Sequence, residues 1–135
     1  MKRRLAVLAA TAGWMALSIS AHHSFSAEFD SGKAVVLEGV VSKVEWANPH
    51  VYFYVDVKEA NGGTTTWACE TGGPNALIRQ GWKHDSMKVG DHVTVNGYLA
   101  KDGSKMADAR QVKLADGRKV FSGTPDDGGP QNRGR

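Results

Sequence analysis

Residues 51–81 read VYFYVDVKEANGGTTTWACETGGPNALIRQG, and this stretch decides the fold. Val51, Phe53, Val55 and Val57 alternate with Tyr52, Tyr54, Asp56 and Lys58, the period of a strand with one buried face. Asn61-Gly62-Gly63 closes a hairpin, because Asn-Gly readily takes the positive φ that a tight turn demands. Thr64 to Glu70 returns as the next strand, with Thr65, Trp67 and Cys69 on one face. Gly72-Gly73-Pro74 ends that strand, and Pro74 suits the first position of a helix. The helix is short, Asn75 to Gln80, with Leu77 and Ile78 as its apolar contact and Gly81 as its stop.

The same alternation continues on both sides. Upstream, Val35 to Trp46 forms a long first strand with Gly39 inside it as a bend or bulge, and Asn48-Pro49-His50 is the turn that follows. Downstream, Val89-Gly90-Asp91 turns into a fourth strand, His92 to Ala100, with Val93, Val95 and Leu99 inward. Lys101-Asp102-Gly103 leads to a fifth strand, Met106 to Leu114, and Asp116-Gly117 returns the chain to Lys119-Val120-Phe121. Val55, Trp67, Val95 and Val112 are expected in one core. Three strands, one helix and two strands is the order of an all-β, five-stranded Greek-key barrel of the oligonucleotide/oligosaccharide-binding (OB) type, with its short helix between strands 3 and 4. A small β-sandwich is the alternative. Residues 35–122 make up this barrel, residues 22–34 an N-terminal arm, and residues 123–135 a tail of polar residues, glycine and proline that is expected to be disordered.

Residues 1–21 have the pattern of a cleaved export signal. Lys2-Arg3-Arg4 is basic, Leu5 to Ile19 is a short interrupted apolar run, and Ser18, Ser20 and Ala21 are small. The run falls short of the ~20 apolar residues of a permanent membrane span. The expected location is periplasmic or secreted, with no membrane insertion after cleavage. The whole chain carries a net charge of +3, but three of its 17 basic residues lie in this segment and none of its 14 acids does. The remainder is balanced, which argues against nucleic acid as a partner. Cys69 is the sole cysteine, so it forms no internal disulfide and supplies no lipidation site after the signal.

Several segments taken together resemble a family of small exported bacterial proteins, the domain of unknown function family 6152. They are His22-His23-Ser24-Phe25, Val44-Glu45-Trp46 with Asn48-Pro49-His50, and Gly73-Pro74-Asn75-Ala76-Leu77 with Arg79, Gly81 and Trp82. Gly90-Asp91, Val93 to Gly97, Ala100 to Ser104 and Asp116-Gly117-Arg118 complete the set. The resemblance spans nearly all of the chain after the signal and implies no established activity. It also implies that Cys69, at a position the family usually fills with an apolar residue, serves packing rather than chemistry.

The residues with chemical potential follow the signal directly. Cleavage after Ala21 leaves His22 with a free α-amine and its own ring nitrogen, a chelating pair that one further imidazole, His50, would complete. Such an arrangement resembles the histidine brace of exported copper proteins. Cleavage after Ser20 instead gives Ala21-His22-His23, which resembles an amino-terminal copper or nickel site with His23 as its imidazole. Two histidines on an arm also bind Cu(II) adventitiously, and His50 beside Pro49 has an equally good reading as a turn residue bonded to a carbonyl. The metal candidates are therefore His22, His50 and His23, with copper as the cofactor considered.

Trp46, Asn48, Tyr52 and Tyr54 are the candidate ligand or partner face; Trp46, Trp67 and Trp82 also suit core or rim packing. No nucleophile elbow, phosphate loop or HExxH motif is present. The expectation is a non-catalytic binding module for copper or another small ligand. The alternative is an accessory domain that docks an envelope protein, with incidental histidines.

Overall fold

The computed structural model describes residues 24–131. The protein is mostly β, with six strands and two short helices among these residues. In chain order they are α1 (Phe25–Glu28), β1 (Phe29–Glu45), β2 (Tyr52–Lys58), β3 (Thr64–Glu70), α2 (Pro74–Arg79), β4 (His92–Ala100), β5 (Met106–Lys113) and β6 (Lys119–Phe121). The sheet order is β3-β2-β1-β4-β5-β6, and every pairing along it is antiparallel. A further, parallel pairing joins Ala68–Glu70 of β3 to Met106–Asp108 of β5. The pairings therefore close a circuit through β1, β2, β3, β5 and β4.

β1 makes the circuit possible because it serves two neighbours. Ala34 to Val40 pairs with β4, and Val40 to Glu45 pairs with β2. At the changeover Gly39 lies so close to β2 that a side chain there would collide with the Asp56 carbonyl. Glycine is needed for this close approach, not for a bulge. Gly39 pairs regularly with Val93, and the register irregularities fall instead between Val41 and Lys43 and between Phe29 and Ala34.

Alternation puts Leu37, Val41, Phe53, Val55, Val93, Val95, Ala107, Ala109 and Val112 into one apolar cluster with Cys69. Leu77 of α2, with Trp82 and Met87 from the segment after it, covers the cluster, and Trp82 Nε1 donates to the Phe121 carbonyl at 3.1 Å. Trp67 departs from the expected full burial. It pairs with Val55, but it precedes the stretch of β3 that pairs with β5, so its ring stays half-buried under Lys105 Nζ at 5.1 Å. Leu99 is also only half-buried. Beyond the register shift between Asn96 and Gly97, Tyr98 and Ala100 pack instead against Phe25 and Phe29 in a second, smaller cluster.

That second cluster lies at the start of β1. β1 begins at Phe29, inside the expected arm, because Phe29 pairs with Ala100 and its ring is buried against the sheet. The segment from Gly123 to Gln131 has no helix or strand, in keeping with its composition, yet it is tied to the fold by Asp127.

Truncation inside the circuit provides a test. Val95→Ala is expected to lower unfolding free energy by about 1–3 kcal/mol, the cost of lost apolar burial and a small cavity. Gly97→Ala should cost more, because its new methyl would collide with the Asp108 carbonyl of β5 and force the backbone apart. Urea unfolding of the two variants checks the order.

Candidate functional site

His50 stands between β1 and β2, just after the cis peptide bond between Asn48 and Pro49. The backbone behind it is held by Val51 N–H donating to the Gly72 carbonyl at 3.1 Å and Thr71 N–H donating to the Val51 carbonyl at 3.0 Å. Thr71 adds a side-chain bond, Oγ1 to the Val51 carbonyl at 2.7 Å. The His50 ring is fixed in turn: Nδ1 lies 2.8 Å from the Thr71 carbonyl and 3.3 Å from Glu70 Oε1. A carbonyl oxygen can only accept, so Nδ1 carries a proton, and Nε2 is the ring nitrogen left to offer a lone pair.

Glu70 links this histidine to a row of polar side chains on the outer face of the sheet. Tyr52, paired with Glu70 across β2 and β3, donates its hydroxyl to Glu70 Oε2 at 2.6 Å. Burial pushes the Tyr52 hydroxyl well above its ordinary pKa, and the Glu70 bond and the nearby charge of Glu28 push the same way. On the other side Glu70 pairs with Asp108 of β5. Asp108 Oδ1 is 3.0 Å from Arg110 Nε, and Arg110 Nη2 donates to Asp127 Oδ2 at 2.8 Å.

These charges are buried, with Glu70 8%, Asp108 6% and Arg110 1% exposed. The outer face of a sheet is normally wet, and here the two ends of the described chain cover it. Phe25 lies on the Arg110 guanidinium, 4.7 Å from ring centre to cation, and edge-on to Tyr98 at 5.5 Å. Gly129 packs against both Arg110 and Phe25, where a larger residue would overlap them. Asp108 and Asp127 share one guanidinium, and the buried Glu70 carboxylate is paired with Asp108 on the neighbouring strand. Burial pushes the Asp108 carboxyl up to about 7 against the pull of Arg110, with Asp127 and Glu70 adding to the rise.

The sequence-derived candidates are spread over this region. His22 and His23 lie outside the described residues. His50 and Tyr52 meet at Glu70. Tyr54 shares the outer face of β2, but its hydroxyl donates to Glu45 Oε2 at 3.1 Å and its ring lies under Lys43 Nζ at 5.2 Å. Trp46 packs partly against the main core and stacks on His84 at 4.4 Å, while its Nε1 is buried with no hydrogen-bond partner among the described residues. Asn48 is exposed in the turn. Cys69 is fully buried, and burial pushes its thiol up to about 12, so it is protonated at neutral pH and serves packing. Among the described residues no group of three or more His, Cys, Asp or Glu side chains is placed to hold a metal, and no helix is long and apolar enough to cross a membrane.

The model of a family of unknown function, DUF6152, matches residues 10–109. The chain belongs to that family. No curated protein and no solved structure matches it. The DUF6152 match contains His50, Tyr52, Glu70 and Asp108 but stops one residue short of Arg110 and well before Asp127.

Glu70, Asp108, Arg110 and Asp127 did not stand out in the sequence. In Ala107-Asp108-Ala109-Arg110 the alanines mark the inward face, and the charges read as an ordinary solvent face. Only their cover by Phe25 and the C-terminal segment makes them unusual.

The raised pKa of Asp108 has a defined consequence for stability. Its folded-state pKa of about 7 exceeds the ordinary value of 3.8, so the folded protein holds that proton more tightly than the unfolded chain does. The resulting stabilisation is complete below pH 3.8 and is lost as pH rises through about 7. Asp108→Asn, which mimics the protonated acid, should therefore melt several degrees above the wild type at pH 8, and the gap should close towards pH 4. Thermal unfolding across that range checks the sign.

Proposed function

We propose that this DUF6152 protein is an exported, non-catalytic binding module for Cu(II), held by the mature N-terminal His22 through its amine and ring and by Nε2 of His50, with His23 beside them. The observation that carries this reading is the His50 ring, protonated at Nδ1 by its bond to the Thr71 carbonyl and steadied by Glu70. Metal-bound histidines characteristically donate their other ring N–H to a carbonyl or carboxylate, which fixes the tautomer and orients the free nitrogen. The described residues supply only one such ligand, so the site depends on the signal-cleaved N-terminus. The position of Phe25 and Glu28 on the same outer face as Tyr52 and Glu70 favours delivery of that terminus to His50.

The strand circuit supports the wider setting. We read its connectivity, with α2 between β3 and β4, as that of an OB-type Greek-key barrel, in which the loop after the first strand borders the ligand face. His50 stands in that loop.

Calorimetric and EPR titration with Cu(II) tests the proposal on protein that begins at His22. One equivalent should bind. Acetylating the N-terminal amine, or His50→Ala, should weaken binding by more than the roughly 10–100-fold typical of outer-shell changes, whereas His84→Ala should leave it unchanged. Affinity should fall as pH drops below about 8, where the α-amine takes its proton. Equal affinity for the wild type and His50→Ala would remove the copper site and favour docking to an envelope protein.

A further inference from the structure

We infer that residues 123–131 form a strap that the protonated Asp108 carboxyl keeps closed over the outer face, and that loss of this proton releases the strap and Phe25 together. The switch belongs to the buried charges beside β5 and stands apart from the proposed copper site.

The root of the strap is fixed to the sheet. Gly72 N–H donates to the Ser122 carbonyl at 2.8 Å, and Ser122 Oγ donates to the Ala109 carbonyl at 2.6 Å. Beyond the root, Asp127 supplies the hold. Its carboxylate accepts from Arg110 Nη2 at 2.8 Å and from the Gly129 N–H at 2.9 Å, and its backbone carbonyl accepts from the Phe25 N–H at 3.1 Å. The Phe25 ring lies on the Arg110 guanidinium and against Gly129. Parting Asp127 from Arg110 therefore frees the strap beyond its root and exposes the Phe25 amide. The strap has no helix or strand, and Asp126 within it takes a φ of 60°, a left-handed conformation that a residue with a side chain adopts at some cost. Release of the strap relieves that strain.

Closure sets two carboxylates on one guanidinium, because Asp108 Oδ1 lies 3.0 Å from Arg110 Nε. The ionisable groups around Asp108 come from every neighbouring element. Arg110 is on its own strand, Asp127 on the strap, Glu70 paired with it on β3 and Tyr98 paired with it on β4. Behind Glu70 stand Tyr52 and His50, with Glu28 of α1 near the Tyr52 hydroxyl. With Asp108 neutral, Arg110 and Asp127 pair one to one. Ionised Asp108 competes with Asp127 for the same cation and is repelled by Asp127 and Glu70, out of reach of water. β3 and β5 are locked in the sheet, so the strap is the element that yields and lets water reach these charges. The closed strap thus holds the Asp108 proton more tightly than the open one. The folded-state value of about 7, raised first by burial and then by Asp127 and Glu70, agrees with this direction. Closure is therefore strongest in acid, weakens as pH rises towards 7 and changes no further above it.

Hydrogen exchange at the Phe25 amide reads the opening. It is measured without metal on protein that begins at His22, from pH 5 to pH 8, with the intrinsic exchange rate divided out at each pH. In the wild type the opening constant should rise by about tenfold or more between pH 5 and pH 7 and then level off. Phe25 should also open about tenfold or more often than Val95 of β4 throughout, which marks a local opening rather than global unfolding. Asp108→Asn, neutral at every pH, should hold Phe25 at its acid-side protection across the range.

A Phe25 opening constant that ignores pH in the wild type overturns the switch. An equal rise in Asp108→Asn does the same, because another group would then be responsible. Equal opening at Phe25 and Val95 also overturns it, because the whole fold would then be opening. If Asp108→Asn fails to fold, carbon-13 NMR of the wild-type Asp108 carboxyl decides instead. It should titrate near 7, at the pH where Phe25 opening levels off, and a separate midpoint overturns the switch. None of these outcomes involves copper, so the proposed metal site can fail while the strap stands.

Discussion

The guanidinium of Arg110 is the point on which the outer face of this protein depends. It sits on β5 almost out of contact with water, against Asp108 and Asp127, and its flat face carries the ring of Phe25. A buried cation is tolerable only when its partners are in place, and breaking such a pair leaves a costly unpaired charge. Holding Arg110 therefore requires the residues around Phe25 and around Asp127 at the same time. This shared requirement ties both ends of the described chain to one strand, although neither end joins the main core.

A second constraint acts inside the sheet. β1 must lie beside β4 for its first half and beside β2 for its second, and at the changeover the strands come too close for any side chain at Gly39. The parallel pairing of β3 with β5 then closes the circuit and brings Glu70 next to Asp108. Closure has an electrostatic result, since two carboxylates on strands distant in sequence, Glu70 and Asp108, are brought together and buried, and Asp108 lies against the Arg110 guanidinium. Burial is the main cause of the upward shift of Asp108, with Asp127 and then Glu70 adding to it.

His50 joins the two sets of constraints. The loop that carries it is pinned through Val51 and Thr71, and its ring is oriented by the Thr71 carbonyl and by Glu70. Glu70 in turn is engaged by Tyr52. In the proposed copper site the protein would thus supply a histidine already set in one tautomer and one direction, while the chelating amine comes from the arm.

What the sequence determined by itself was local. Alternation from Val51 to Lys58, the Asn61-Gly62-Gly63 turn and the Pro74 start of a short helix placed β2, β3 and α2 within a residue or so, and the same rules placed β4, β5 and β6. These elements were legible because period and turn chemistry depend on neighbours in the chain. His50 and Tyr52 were legible as candidates for the same reason, one from its turn and one from its face. Tertiary structure alone decided that Phe29 belongs to β1, that Trp67 stays half-exposed, and that Asp108, Arg110 and Glu70 are buried. Each of these depends on which distant segment lies alongside. No periodicity in Ala107-Asp108-Ala109-Arg110 can announce that Phe25 and Asp127 will cover its charged face, because that cover is supplied by side chains far away in the sequence and held by an ion pair that exists only once the chain has folded.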